Sequence, residues 1–328
     1  MINYSLKYNN KKLLLEKNLL KFSKKDVVIR IRSCGICGSD INILKNGSHR
    51  VSDGRVMGHE IVGQILNFDK KNGPKNRNIL LGADIPHPDK SDYALGHEID
   101  GGFQKYLVIN KNILKKIPHF ITQKKINFKI ASLCEPIACC LNGFKNMNFK
   151  KNKSVIILGA GPIGHLLSII CIFKKAKEVY LFDQNIKKLK LGPIHKKIHK
   201  LHLSELKEIQ NSNKKFDFGF VACSSGDAQN EILKHMNKNS VVNFFAGIKF
   251  KKKSKLIPLN TNLIHYNQIK VLGSHGSTKK DIIESAKLIV NNKLDLKGIV
   301  TNSYNIKNYK NAFKDLNKGV SLKAVITP

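Results

Sequence analysis

Apolar positions along this chain change rhythm near residue 150. Before that point they come as short β-branched runs at 26–32 (DVVIRIR), 60–66 (EIVGQIL) and 106–109 (YLVI), the last preceded by Gly101-Gly102-Phe103. Runs of that length and composition predict strands separated by turns. From Ser154 the pattern alternates. The apolar run 155–158, a glycine turn, a helical pattern over 163–173 and a strand over 178–182 make one βαβ unit. Further strands are predicted at 216–222, 241–246 and 269–272 with helical segments between them, the alternation of a doubly wound parallel sheet. After Gly273 an amphipathic helix is predicted, with Ile282, Ile283, Ala286, Ile289 and Val290 on one side and a cap near Ser277 or Thr278. There is no internal repeat and no low-complexity linker.

A length of 328 residues suits two domains better than one core. The longest apolar stretches fall short of the ~18 residues a bilayer span requires, and the N-terminus is broken by Lys and Asn rather than built as a signal peptide. The expectation is a soluble cytoplasmic protein with no membrane partner. Seven cysteines without regular spacing argue for reduced thiols, and Cys134, Cys139, Cys140, Cys171 and Cys223 lie in apolar runs as small core residues. The net charge of +35 invites a nucleic-acid reading. Yet only five of the 58 basic residues are Arg, and the lysines are scattered rather than clustered, so a solvated basic surface is expected and no specific nucleic-acid site.

Chemistry concentrates in three short stretches: Cys34-Gly-Ile-Cys37-Gly-Ser39-Asp40, Gly58-His59-Glu60 and Leu133-Cys134-Glu135-Pro136. Together they offer a thiolate, an imidazole and two carboxylates, too few soft ligands for a closed structural site and suited to an open catalytic zinc. A zinc ribbon is excluded because no second Cys-x-x-Cys pair follows. Downstream, Gly159-Ala-Gly161-Pro162-Ile163-Gly164 joins an apolar strand to a helix, with Asp183 twenty-four residues after Gly159. That spacing predicts a dinucleotide whose pyrophosphate lies on the helix N-terminus and whose ribose diol meets Asp183, favouring NAD over NADP. Zinc and a dinucleotide together point to an enzyme of alcohol–carbonyl redox chemistry.

In this order, and with Asp100-Gly101-Gly102-Phe103 and a closing Lys323-Ala-Val-Ile-Thr-Pro328, the motifs make the chain resemble the zinc-containing medium-chain alcohol dehydrogenases over nearly its whole length. The similarity is to the branch that includes sorbitol (polyol) and threonine dehydrogenases. It implies an α/β protein with a GroES-like β-rich catalytic domain over 1–140, a Rossmann NAD-binding domain over 141–274, and a C-terminal return to the catalytic domain over 275–328, substrate lying between the domains. It implies Cys37, rather than Cys34, as a zinc ligand together with His59 and Glu60. Glu135 stands where classical relatives have a cysteine, as a ligand bound directly or through water. Ser39 is the expected proton-relay hydroxyl and, with Glu135, the expected catalytic pair; Asn42 replaces the histidine that commonly completes the relay, and Asp40 would orient His59. Lys188 would flank the adenine ribose, while Ala246, Gly247, Ile248, Gly273, Ser274 and His275 would approach the nicotinamide. Residues 82–95 replace a lobe in which relatives bind a structural zinc through four cysteines, and they contain none, so one zinc per chain is expected. Gly96-His97-Glu98 is read as a loop near the active site rather than as ligands. The implied reaction is hydride transfer from a secondary alcohol of a polyol or cyclitol to NAD by a homo-oligomer, dimer or tetramer. A threonine, amino-alcohol or sugar-phosphate dehydrogenase is the alternative within the family. A basic nucleic-acid-binding protein on the same fold is the alternative outside enzymes, and the intact ligand set and glycine turn count against it.

Overall fold

The computed structural model describes residues 1–66, 77–85, 93–248 and 256–328. Part of the 82–95 stretch, residues 86–92, lies outside the described residues. The chain is α/β and divides into two compact units, one comprising Met1–Cys139, Gly276–Lys293 and Val300–Pro328, the other Cys140–His275 and Leu294–Ile299.

The first unit is the GroES-like one. Its main sheet runs Val300–Asn305, Lys323–Thr327, Asp26–Gly35, Glu60–Ile65, Arg77–Leu81, His119–Thr122, with Tyr106–Asn110 also paired to Asp26–Gly35. Asp26–Gly35 is the hub because its β-branched residues are buried on both faces; Val28 and Ile29 are wholly enclosed. An N-terminal hairpin of Ile2–Asn9 and Lys12–Leu19 turns through Asn10 and Lys11, both at positive φ (42° and 63°) as a tight two-residue hairpin requires. The helix Lys279–Val290 also belongs here. Its cap is Thr278, whose hydroxyl and backbone N–H both donate to the Asp281 carboxylate, at 2.7 and 2.8 Å. Its buried face is turned slightly from the predicted one. Ile282, Ala286 and Ile289 are buried as expected, but Ser285 and Leu288 join them while Ile283 and Val290 are half-exposed, because the Ser285 hydroxyl is drawn inward to the Cys134 carbonyl.

The second unit is a Rossmann sheet of six parallel strands in the order Ile198–His202, Glu178–Asp183, Ser154–Leu158, Phe216–Val221, Met236–Phe244, Lys270–Gly273. Ser154–Leu158 is central and buried at every position, which explains its uninterrupted apolar run. Strand order reverses beside it, between Glu178–Asp183 and Phe216–Val221, and in such sheets ligands bind at the carboxyl ends of the strands near that reversal. Among the expected core cysteines, Cys134, Cys140 and Cys171 are fully enclosed, whereas Cys139 and Cys223 are only half-buried. No helix among the described residues is long and apolar enough to cross a membrane.

Candidate metal centre and cofactor site

Two turns of the first unit deliver the sulfur, the imidazole and the carboxylate. Strand Asp26–Gly35 leads to Cys37, which caps the helix Gly38–Asn46, and the Asp40 carboxylate accepts the Cys37 backbone N–H at 2.8 Å. Strand Glu60–Ile65 begins with Glu60, paired with Gly35 in the sheet, and His59 stands one residue before it. Register therefore brings Cys37, His59 and Glu60 together: their ligand atoms lie within 4.8 Å of one another, the one such group of three among the described residues. His59 and Glu60 are buried, at 6% and 1% exposure. Glu135, in the first turn of the helix Cys134–Lys145, stands outside this set; it is buried, and its Oε1 accepts a hydrogen bond from the Cys139 thiol at 3.2 Å.

The electrostatics are those of a site for a cation. Asp40 is wholly buried, its Oδ1 3.7 Å from His59 Nδ1, too long for a hydrogen bond, and both atoms lack hydrogen-bond partners among the described residues, as does Glu60 Oε2. Burial alone would lower the His59 pKa, but the Asp40 carboxylate and the Cys37 sulfur outweigh it and hold the imidazole well above its ordinary value. Burial raises Asp40 and pushes Glu135 up to about 7, against the pull of His59 in both cases. One buried cation offsets these acids: Lys323, 3% exposed, donates from Nζ to Glu60 Oε1. With one oxygen taken by Lys323, Glu60 keeps the other open, and Asp40 at Nδ1 leaves His59 Nε2 for a ligand bond. The mixed S/N/O donors, the orphaned atoms and the surplus of acid suit a zinc ion. Cys34, fully buried, has its thiol raised far by burial, so it stays protonated.

Ser39 Oγ is likewise buried without a partner. Asn42 is turned away from relay duty, its side-chain oxygen accepting the Asn46 amide at 2.8 Å. The Gly96-His97-Glu98 turn comes beside the cluster, the His97 ring packing edge-on to His59 with centroids 5.5 Å apart. Burial, followed by the charges of His59 and Arg50, pushes His97 down to about 4.

In the second unit the residues expected to meet a dinucleotide lie at the carboxyl ends of the parallel strands. Gly159 has φ +109°, and Gly161 caps the helix Pro162–Phe173 without any side-chain bond to the first-turn amides, leaving them for an anion. A side chain at Gly164 would lie 1.9 Å from the Gly159 carbonyl, whereas one at Gly161 would meet nothing within 4 Å. Asp183 ends its strand and steadies the turn, Oδ2 accepting from the Ala160 N–H and Oδ1 from the Asn185 N–H, both at 2.8 Å. Lys188 lies on the following short helix, its carbonyl 3.1 Å from His165 Nε2. Ala246, bonded to the Val221 carbonyl, with Gly247 and Ile248 follows the strand Met236–Phe244; Gly273, Ser274 and His275 close the strand Lys270–Gly273. Ser274 donates to buried Asn243, which itself donates to the Gly143 carbonyl. These residues suit a nicotinamide dinucleotide: the amides at the helix start and the open space over Gly161 fit a pyrophosphate.

Sequence reasoning missed two residues. Lys323 is a charge inside the apolar closing run, and Asn243 is an amide within Val-Val-Asn-Phe-Phe; in each case one polar residue interrupting a buried strand was the available signal.

The profile of the alcohol dehydrogenase GroES-like domain matches residues 23–119, the segment that carries Cys37, His59 and Glu60. The chain is 24% identical to a sorbitol dehydrogenase of Halalkalibacterium halodurans, across 93% of this chain and 92% of that one. It is equally 24% identical to an L-threonine 3-dehydrogenase of Pseudoalteromonas translucida, across 92% of each. The chain is similar to the zinc-type medium-chain alcohol dehydrogenases along nearly its whole length. The fold of this dehydrogenase is that of an alcohol dehydrogenase from Thermotoga maritima, with a TM-score of 0.86 over the full length of both chains at 15% identity. That similarity supports an oxidoreductase of the zinc-dependent type that works with a nicotinamide cofactor.

Proposed function

We propose that this dehydrogenase oxidises a secondary hydroxyl of a polyol or cyclitol to the ketone, with NAD as hydride acceptor. The observation that carries this reading is the buried, acid-rich cluster of Cys37, His59 and Glu60 with Glu135 close by. Cys37, His59 and Glu60 would hold a zinc ion, with Glu135 in direct or water-bridged reach; when bound, it would supply Lewis acidity toward the substrate hydroxyl, and a nicotinamide would serve as the hydride acceptor. Around that chemistry the chain's own groups handle the proton. Ser39 Oγ, which has no partner among the described residues, accepts it from the substrate hydroxyl. Because Asn42 is engaged with Asn46, the proton continues outward through water. Two carboxylates in place of a second thiolate make the surroundings hydrogen-bonding, which suits neighbouring hydroxyls better than an alkyl chain. Asp183 supports the choice of NAD, since a carboxylate at the ribose repels a 2′-phosphate. Threonine oxidation is the second reading, favoured by the threonine dehydrogenase among the relatives.

The test is kcat/KM for sorbitol and myo-inositol against 2-propanol and threonine, each with NAD and NADP. The polyols should lead, and NAD should be preferred by about tenfold or more, the scale of ~1–3 kcal/mol for an unpaired polar group. Better turnover of 2-propanol or threonine, or equal use of both cofactors, would overturn the corresponding part. Ser39→Ala should reduce kcat on the order of 10²-fold while zinc content stays unchanged, because the hydroxyl moves protons and does not hold metal.

A further inference from the structure

We propose that His97 is a specificity residue of this site: its imidazole hydrogen-bonds the hydroxyl adjacent to the one being oxidised, which makes vicinal diols the substrate class. The proposal rests on the dehydrogenase reading and narrows it.

Both His97 ring nitrogens are enclosed by protein and neither has a hydrogen-bond partner among the described residues. An imidazole always carries at least one N–H, and in its neutral form one N–H and one lone pair, so a half-buried ring whose enclosed nitrogens are both unsatisfied calls for a missing partner. The ring is packed edge-on against His59, yet it lies outside the group of three that could hold a metal. The turn that carries it is fixed in place. Gly96 has φ +78°, and a side chain there would lie 2.8 Å from the Gly58 carbonyl, so the turn rests directly on the backbone that leads into His59. The His97 N–H donates to the Ala94 carbonyl at 3.2 Å. The next residue is clamped, with Glu98 accepting two bonds from Arg50, at 2.6 and 3.1 Å, and one from the Ala94 N–H at 2.9 Å. A ring this well held, with both nitrogens unpartnered beside His59, is preorganised for a ligand group. Ser39 answers for the reacting hydroxyl. A second hydroxyl on the neighbouring carbon both donates and accepts, which matches what His97 offers; a simple alcohol would leave the ring unpaired.

The experiment compares 2,3-butanediol with 2-butanol, which differ by that one hydroxyl, on the zinc-loaded full chain. Wild type should favour the diol in kcat/KM by at least about a hundredfold. His97→Phe, which keeps a ring and removes both nitrogens, should shrink that preference at least about tenfold, and His97→Gln should restore part of it, with zinc content equal in all three. A second readout does not need turnover: with histidine ring nitrogens labelled by 15N, the His97 signals, identified by their absence from His97→Phe, should shift on adding 2,3-butanediol and stay put with 2-butanol. If wild type oxidises no alcohol, the dehydrogenase reading fails while the spectra still decide the role of His97. Equal losses on both alcohols in His97→Phe, an unchanged preference, or ring signals indifferent to the diol because water alone occupies the site would each overturn the proposal.

Discussion

Single buried polar residues carry the informative physics of this protein, and His165 shows how one acts on stability. It lies on the helix Pro162–Phe173 with Nε2 3.1 Å from the Lys188 carbonyl, and a side chain on Gly192 would collide with its ring. Burial pushes it down to about 4. Between pH 6.5 and pH 4 the unfolded chain therefore takes up a proton that the folded one refuses, and stability falls as the pH is lowered through that window. At pH 4.5 the loss attributable to this one group should be about 2 kcal/mol relative to pH 7. Chemical denaturation of wild type and His165→Gln at the two pH values measures it as a difference, so that other titrating groups cancel. A gap between the two proteins that stays constant with pH would show that His165 is not held neutral by the fold.

At the scale of elements, the glycine turn separates what the fold needs from what the cofactor needs. Gly164→Ala would place a methyl 1.9 Å from the Gly159 carbonyl, so the helix start must shift, with an expected stability loss of about 1–3 kcal/mol and loss of NADH binding. Gly161→Ala meets no protein atom within 4 Å and sits at φ −73°, so it should melt like wild type. Its methyl occupies the space over the helix start, and NADH affinity should fall on the order of tenfold, ~1.4 kcal/mol. Thermal unfolding and NADH fluorescence titration check both, and a Gly161→Ala protein that binds NADH normally would remove the pyrophosphate from that place. Elements of this kind were legible in the sequence because their signals are local: a buried strand reads as an apolar run, and the turn as its glycines. The hairpin strand Lys12–Leu19 was not, since all but one of its residues are at least partly exposed and lysine interrupts its alternation. The cluster of Cys37, His59 and Glu60 was legible as short motifs. The Lys323 partnership with Glu60 spans 263 residues, and the open nitrogens of His97 depend on the Gly96–Gly58 contact, so neither could be read from neighbours along the chain.

For the molecule as a whole, the balance of charge sets the final expectation. The chain carries +35, dispersed over lysines, yet its first unit buries Asp40, Glu60 and Glu135 around Cys37 with Lys323 as their buried lysine. A basic surface does nothing for a buried carboxylate, because surface charges are screened by water and salt while the buried acids are not. Removing a bound zinc leaves those acids opposed mainly by Lys323 and a charged His59, so metal binding and folding should be coupled. Chelated protein should therefore unfold at a lower temperature than the zinc form, and re-adding zinc should restore the difference. Only one such group of ligands exists among the described residues, and residues 82–95 contain no cysteine anywhere in the sequence, which rules out a thiolate site there. Elemental analysis should find one zinc per chain in wild type and close to none in Cys37→Ala. The stabilisation by zinc should vanish in that variant, since the sulfur is the softest donor and the one that selects zinc over magnesium or calcium. Two tightly held zinc ions per chain, or a Cys37→Ala protein that keeps both its metal and its metal-dependent melting, would show that the cluster has been assigned to the wrong residues.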